Sequence, residues 1–193
     1  MATRVFPVKN KHKLDNPWRR QVLPPKETLL KLGLTPSDIV LDVGCGIGYF
    51  TFSAAQIVGP DNKVYALDLS QDMLDVLRAN ADESLASCIT TVKTDTYDMK
   101  LLDEVASFAL VVTVLHEVED PKRFIQEVHR ILKPGGRIAI VDFEAKETQY
   151  GPPLAHRIQN SVCRELVEDS GFEITDYLSF DATFYGIVAV KNN

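Results

Sequence analysis

The chain is 193 residues long, 45% hydrophobic and 25% charged, the balance of one folded domain rather than of a disordered, collagen-like or coiled-coil chain. It carries 21 Lys and Arg against 27 Asp and Glu, a net charge of −6, which argues against a dedicated nucleic-acid binder, because phosphate neutralisation dominates such binding. The charge is divided unevenly: residues 1–31 hold eight bases and two acids, leaving thirteen bases and 25 acids, a net of −12, for residues 32–193.

Residues 1–15 read as irregular. Asn16-Pro17 offers an N-cap followed by proline at the first helical position, so a short helix is expected through Trp18–Leu23, interrupted by Pro24-Pro25. A second helix, Lys26–Leu32, is stopped by Gly33. Strands and helices then alternate. Strands are expected at Ile39–Val43, Lys63–Leu67, Ile89–Lys93, Phe108–Val114 and Arg137–Phe143. The helices between them are Tyr49–Val58, Asp72–Ala79 capped by Ser70, and one from Asp120-Pro121 through Leu132 that Gly135-Gly136 terminates. A helix over 161–170, closed by Gly171, precedes two final strands, Glu173–Phe180 and Thr183–Val190. Such alternation means βαβ units and a mostly parallel sheet with helices on both faces. The last connection is too short for a parallel crossover, so the terminal pair is expected to be antiparallel. Residues 1–37 form an N-terminal helical segment and 38–193 the main domain.

The strongest motif, Leu41-Asp42-Val43-Gly44-Cys45-Gly46-Ile47-Gly48, lies where the first strand hands over to the first helix of the alternating region. Glycines there permit a tight turn and close approach of a ligand to the backbone. The dinucleotide fingerprint GxGxxG would place its third glycine at Tyr49, whereas here it falls at Gly48, and no Gly-Lys-Ser/Thr follows, so a P-loop is excluded. A carboxylate at Asp42 would repel a pyrophosphate and favour a cationic ligand. Asp68, followed by Leu69, lies 20 residues after Gly48 at the end of the second strand, where an acid accepts hydrogen bonds from a ribose diol. Asp95-Thr96 follows the third strand, on the same sheet edge, where a carboxylate suits the exocyclic amine of an adenine. Three acids on one rim suit an adenosine carrying a cationic amino-acid tail.

LDVGCGIGYFT, VYALDLSQDML, VKTDTYDM, VLHEVEDP and RILKPGGRIAIVDF, in this order across about residues 38–143, resemble the successive motifs of class I S-adenosylmethionine-dependent methyltransferases. HKLDNPWRRQVLPP (12–25) and GPPLAHRI (151–158) resemble stretches in a small prokaryotic subgroup related to quinone-biosynthesis and arsenite methyltransferases. The resemblance implies a Rossmann-like, doubly wound α/β fold: a seven-stranded sheet, mostly parallel with a C-terminal antiparallel hairpin. It implies S-adenosyl-L-methionine as donor and S-adenosyl-L-homocysteine as product. Gly44, Gly46 and Gly48 would border the methionyl part, Asp68 the ribose, and Asp95 with Thr96 the adenine. Departures are visible. Phe108-Ala109 stands where many relatives start the fourth strand with Asp. The Asn/Asp-Pro-Pro-aromatic motif of many amino-methylating nucleic-acid enzymes is replaced by Leu115-His116-Glu117. Cys45, Cys88 and Cys163 form no evident arsenic-binding set.

Methyl transfer from a sulfonium is a direct displacement, so the protein's task is mainly alignment, with a base needed only for a protonated acceptor of high pKa. The candidates for catalysis are His116 and His156. Those for substrate contact are Trp18, Glu117, Tyr150 and Arg157, all expected near the carboxyl edge of the sheet or on a lid formed by residues 9–25. His129 reads as surface, and the four scattered histidines offer no metal site. The expected acceptor is a small molecule, with no nucleic acid. The N-terminus lacks the apolar run of a signal peptide, and no segment approaches the length of a membrane span, which suits a cytoplasmic protein. The N-terminal segment reads as a lid, a homo-oligomer contact or a tail. Rival readings are a methyltransferase acting on protein or RNA, a non-catalytic donor-binding domain, and a nicotinamide-dependent oxidoreductase, which the Gly48 spacing disfavours.

Overall fold

The computed structural model describes residues 6–192; Arg4, one of the eight N-terminal bases, falls outside them. The segment expected to be irregular contains a 3-10 turn at Val8–Lys13. Helix α1 (Pro17–Val22) follows, with the Asn16 side chain accepting from the backbone N–H of Arg19 at 3.0 Å and Pro17 at the first helical position. Helix α2 (Pro25–Lys31) completes the segment.

Seven strands then form one sheet: β1 (Val40–Val43), β2 (Val64–Asp68), β3 (Ile89–Lys93), β4 (Ala106–Val112), β5 (Leu132–Phe143), β6 (Phe172–Phe180) and β7 (Phe184–Lys191). Their spatial order is β3-β2-β1-β4-β5-β7-β6. The first five are parallel, whereas β7 runs antiparallel to both β5 and β6. The strand order reverses direction at β1, which places a topological switch point between β1 and β4, where open α/β sheets bind ligands.

Alternate side chains of the central strands enter two cores. Leu41, Val43, Ala109 and Val111 face one layer, which holds α6 (Pro121–Ile131) and α7 (Asn160–Glu168). Val40, Phe108, Leu110 and Val112 face the other, with α2 and α3 (Thr51–Val58). Burial on both faces explains why these strands read as continuous apolar runs. Helix α4 (Gln71–Asn80) closes a smaller cluster through Leu74 and Leu77 against Ala66, with Ser70 capping the N–H of Met73.

Two local readings change. The one-turn helix α5 (Glu83–Ala86), capped by Asp82, had no apolar periodicity to announce it. The Gly135-Gly136 pair does not terminate α6, which ends at Ile131. Pro134 disfavours a helical Lys133, so the chain is already extended at Leu132. Leu132 then pairs with Ala106, Arg137 pairs with Phe108, and Lys133–Gly136 bulges between them, with Gly135 at φ 72°. Among the described residues no helix is long and apolar enough to cross a membrane.

Candidate active site

An open cleft lies at the carboxyl edge of the parallel strands, its empty space of about 1020 Å³ continuous with solvent. The glycine loop builds its floor. The N–H groups of Gly44 and Cys45 both donate to the Leu67 carbonyl, at 2.8 and 2.9 Å, which turns the chain sharply across the end of β2. Gly44 has φ 73°, and a Cβ there would stand 2.4 Å from a Val114 methyl. The third glycine, Gly48, does not line the cleft: a Cβ on it would meet Phe52 and Leu77, so it serves close packing beneath the loop.

Asp42, Gly44, Gly46, Asp68, Leu69, Asp95 and Thr96 all line this one cleft. Asp42 is 4% exposed and accepts a 2.5 Å hydrogen bond from the Thr51 hydroxyl. Burial pushes its carboxyl up to about 7, with the Thr51 hydrogen bond restraining the rise and the charge of Asp68 adding to it. Asp68 accepts from the N–H of Gly46 at 2.9 Å on one oxygen and from that of Ser70 at 2.8 Å on the other. It thereby stitches the glycine loop to the start of α4. Burial raises its pKa, and these backbone bonds oppose the rise. Asp95 stands at the lip, its side chain 76% exposed and 3.1 Å from the Lys100 ammonium. Cys45 also lines the cleft, but burial holds its thiol well above the ordinary range, which makes it a packing group rather than a nucleophile.

The other candidates are distributed differently. Glu117 lines the cleft. His116 does not line the cleft: its Nδ1 lies 2.7 Å from Asp142 Oδ1, and the imidazole is 8% exposed. Asp142, 1% exposed, also accepts from the backbone N–H groups of His116 and Phe143. Burial opposes the imidazolium, but the bond to Asp142 and its charge outweigh that, so the His116 pKa is raised. Arg157 donates to the carbonyls of Pro152, Glu144, Lys146 and Tyr150, bracing the loop after β5. His156 is half-buried in a 3-10 turn, Leu154–His156. Trp18 packs outside the cleft, its ring centroid 4.4 Å from that of Tyr150 and 5.8 Å from that of Phe184.

Sequence reasoning passed over Arg19. Its side chain comes from α1, is 8% exposed and lines the cleft. It lies 5.2 Å from the Tyr49 ring centroid, and its Nη2 donates to the Thr113 hydroxyl at 3.2 Å. Thr113 has φ 56°, a left-handed conformation uncommon for a β-branched residue and found where function imposes strain. The Tyr49 hydroxyl donates to the Leu23 carbonyl at 3.0 Å, tying the glycine loop to the end of α1.

Comparison with known proteins agrees with this geometry. Residues 41–140 match the family model described as a methyltransferase domain. The arsenite methyltransferase of Halobacterium salinarum is 31% identical over 109 residues, 56% of this chain and 28% of that protein. The demethylmenaquinone methyltransferase of Anoxybacillus flavithermus is 28% identical over 125 residues, 65% of this chain and 53% of that protein. The chain thus matches about half or less of the length of these curated relatives. A crystal structure of a SAM-dependent methyltransferase from Aquifex aeolicus superposes with a TM-score of 0.90 at 26% identity, covering 96% of this chain and 98% of that one. Fold and cleft define a class I methyltransferase architecture. The chain belongs to the class I S-adenosylmethionine-dependent methyltransferase family.

Proposed function

We propose that this chain transfers a methyl group from S-adenosylmethionine to a small-molecule acceptor. The observation that carries the reading is one cleft lined by the glycine loop, four carboxylates (Asp42, Asp68, Asp95 and Glu117) and one buried guanidinium. Those groups fit the donor: acids for an ammonium and a ribose diol, a close backbone approach at Gly44, and a cation for a carboxylate. When bound, S-adenosylmethionine supplies an activated methyl on a sulfonium. The chain's own groups hold and align. Asp68 and Leu69 take the ribose end, Asp95 and Thr96 the adenine, and Asp42 with the glycine loop the charged tail.

Glu117 and the apolar side chains Val114, Val118 and Phe124 line the remaining wall, which suits a compact, largely apolar acceptor rather than a polymer. The demethylmenaquinone and arsenite methyltransferases among the relatives support a small acceptor. His116, which Asp142 holds just outside the cleft lining and next to Glu117, is the proton-handling group of this reading, and Tyr150, His156, Arg157 and Trp18 support the acceptor side from behind, in the loop after β5 and in α1.

Thermal shift with S-adenosylmethionine, S-adenosylhomocysteine and NAD, paired with methyl-transfer turnover, tests the reading. Stabilisation by the two adenosyl sulfur compounds is expected; stabilisation by NAD alone would overturn it. His116→Ala should retain S-adenosylhomocysteine binding and lose turnover by about 10²- to 10⁴-fold, the range of a general base. Full activity would make the His116–Asp142 pair purely structural.

A further inference from the structure

The mouth of the cleft carries a charge that the donor does not explain. Phe6 and Leu14 both line the cleft, so the 3-10 turn between them, Val8–Lys13, spans its opening. A Cβ on Gly46 would stand 3.1 Å from a Leu14 methyl, which sets one end of that span against the glycine loop. The turn contains no buried residue, and Lys9, Lys11 and Lys13 are exposed. Among the described residues none of the three meets a carboxylate, whereas Arg78, Lys100, Lys122, Arg130 and Arg137 each do. The nearest acid in the chain, Asp15, is taken by Arg20 through two nitrogens at 2.6 Å. These uncompensated cations stand on a molecule whose residues 32–193 hold thirteen bases against 25 acids.

Inside the cleft the sign is opposite. Asp42 and Asp68 line it and repel a second anion there, so an anionic group is favoured only outside, at the lysines. The wall between the two zones is apolar, with Val114, Val118 and Phe124. We propose that the turn Val8–Lys13 selects the methyl acceptor as an amphiphilic anion. Its apolar body enters past Phe6 and Leu14, and its carboxylate or phosphate stays at the mouth with the lysines. Exposed lysines steer such an anion toward the opening and hold it by several weak, salt-screened pairs. A neutral acceptor of the same shape gains neither effect. This assignment rests on the proposed methyl transfer and names its acceptor class.

Two fluorescent probes with one ring skeleton separate charge from shape: 8-anilinonaphthalene-1-sulfonate, an anion, and N-phenyl-1-naphthylamine, which lacks the sulfonate. Each is titrated into protein saturated with S-adenosylhomocysteine, whose own binding is read by thermal shift. Replacing the three lysines together, Lys9→Gln, Lys11→Gln and Lys13→Gln, should weaken the sulfonate about tenfold, the sum of several exposed pairs. The neutral probe's affinity should stay unchanged, which also shows that the variant is folded. Raising salt to about 1 M should weaken the sulfonate in the wild type and not in the variant. Equal affinity of the sulfonate for both proteins, or no binding of it by the wild type, would overturn the assignment and leave the donor site standing. Lysine-dependent sedimentation of the wild type with phosphatidylglycerol vesicles would also overturn it, by giving the turn to a membrane surface. A wild type that S-adenosylhomocysteine does not stabilise would remove the methyl-transfer reading itself and the assignment with it.

Discussion

Asp42 shows how one side chain trades stability against binding. Its carboxyl titrates at about 7 in the fold against an ordinary 3.8. The folded state therefore binds more protons than the unfolded state between those values, and stability falls as pH rises through that window, levelling above about 7. Asp42→Asn should raise Tm at pH 8 and change it little below pH 4. A cationic ligand favours the ionised carboxylate, so donor binding should release a proton and tighten as pH rises from 6 to 8. Calorimetry in buffers of different ionisation enthalpy measures that release; a pH-independent affinity would mean that Asp42 does not face the cation. At this scale the acids were legible in the sequence because each lies within two residues of the carboxyl end of its strand. Arg19 was not, since the adjacent Arg19-Arg20 pair looks like one basic patch until the helical rotation buries the first and exposes the second. Asp142 was equally hidden: it meets His116 across 26 residues of chain, and nothing local marks the pair.

Among the elements, α1 carries the least expected behaviour. A basic N-terminal stretch reads as a lid or a tail, yet α1 is docked by two neighbouring side chains that point to different places. Trp18 packs against Tyr150 and Phe184 on one side, and Arg19 enters the cleft on the other. Trp18→Ala removes a partly buried aromatic surface and should cost about 1–3 kcal/mol. It should also speed proteolysis within residues 9–31 and raise the donor KM more than it lowers kcat. An unchanged digestion rate would return the segment to the status of a tail. The strands were predictable to within two residues except at β5, whose start depends on Pro134 and on pairing with β4. Helix α5 is a single capped turn, too short for periodicity to reveal.

The candidate site lies at one edge of the sheet and a dense polar joint at the other. Before β1, Asp38 accepts from Arg137 at 2.7 Å, from Ser107 at 2.8 Å, and from the Thr35 N–H and hydroxyl at 2.8 Å each. Arg137 also donates to the Gly33 carbonyl at 2.5 Å. The joint thus ties the N-terminal segment to β1, β4 and β5. Burial alone would raise the Asp38 pKa, but the bonds from Thr35, Ser107 and Arg137 outweigh it and hold it below 3.8. Its contribution is therefore complete above about pH 3.8 and disappears as pH falls through the lower, folded value. Arg137→Met should cost about 1–3 kcal/mol, the penalty for depriving a buried acceptor of its donor, and should move the acid-unfolding midpoint upward. Donor affinity should stay unchanged, because the cleft lies at the opposite edge; a large loss of affinity would show that the two edges are coupled.

The excursion at Lys133–Gly136 has a practical consequence. It interrupts β5 at its start, on the edge away from the cleft, and Lys133, Pro134 and Gly135 are exposed. A Cβ on Gly135 meets nothing within 4 Å. The register is set by Leu132 on one side and Arg137 on the other, so extra residues between Pro134 and Gly135 leave both pairings intact. Exposed loop tips of this kind are where chains accept insertions. A peptide tag or a coupling cysteine placed there would anchor the molecule to a sensor surface with its mouth turned outward to solution.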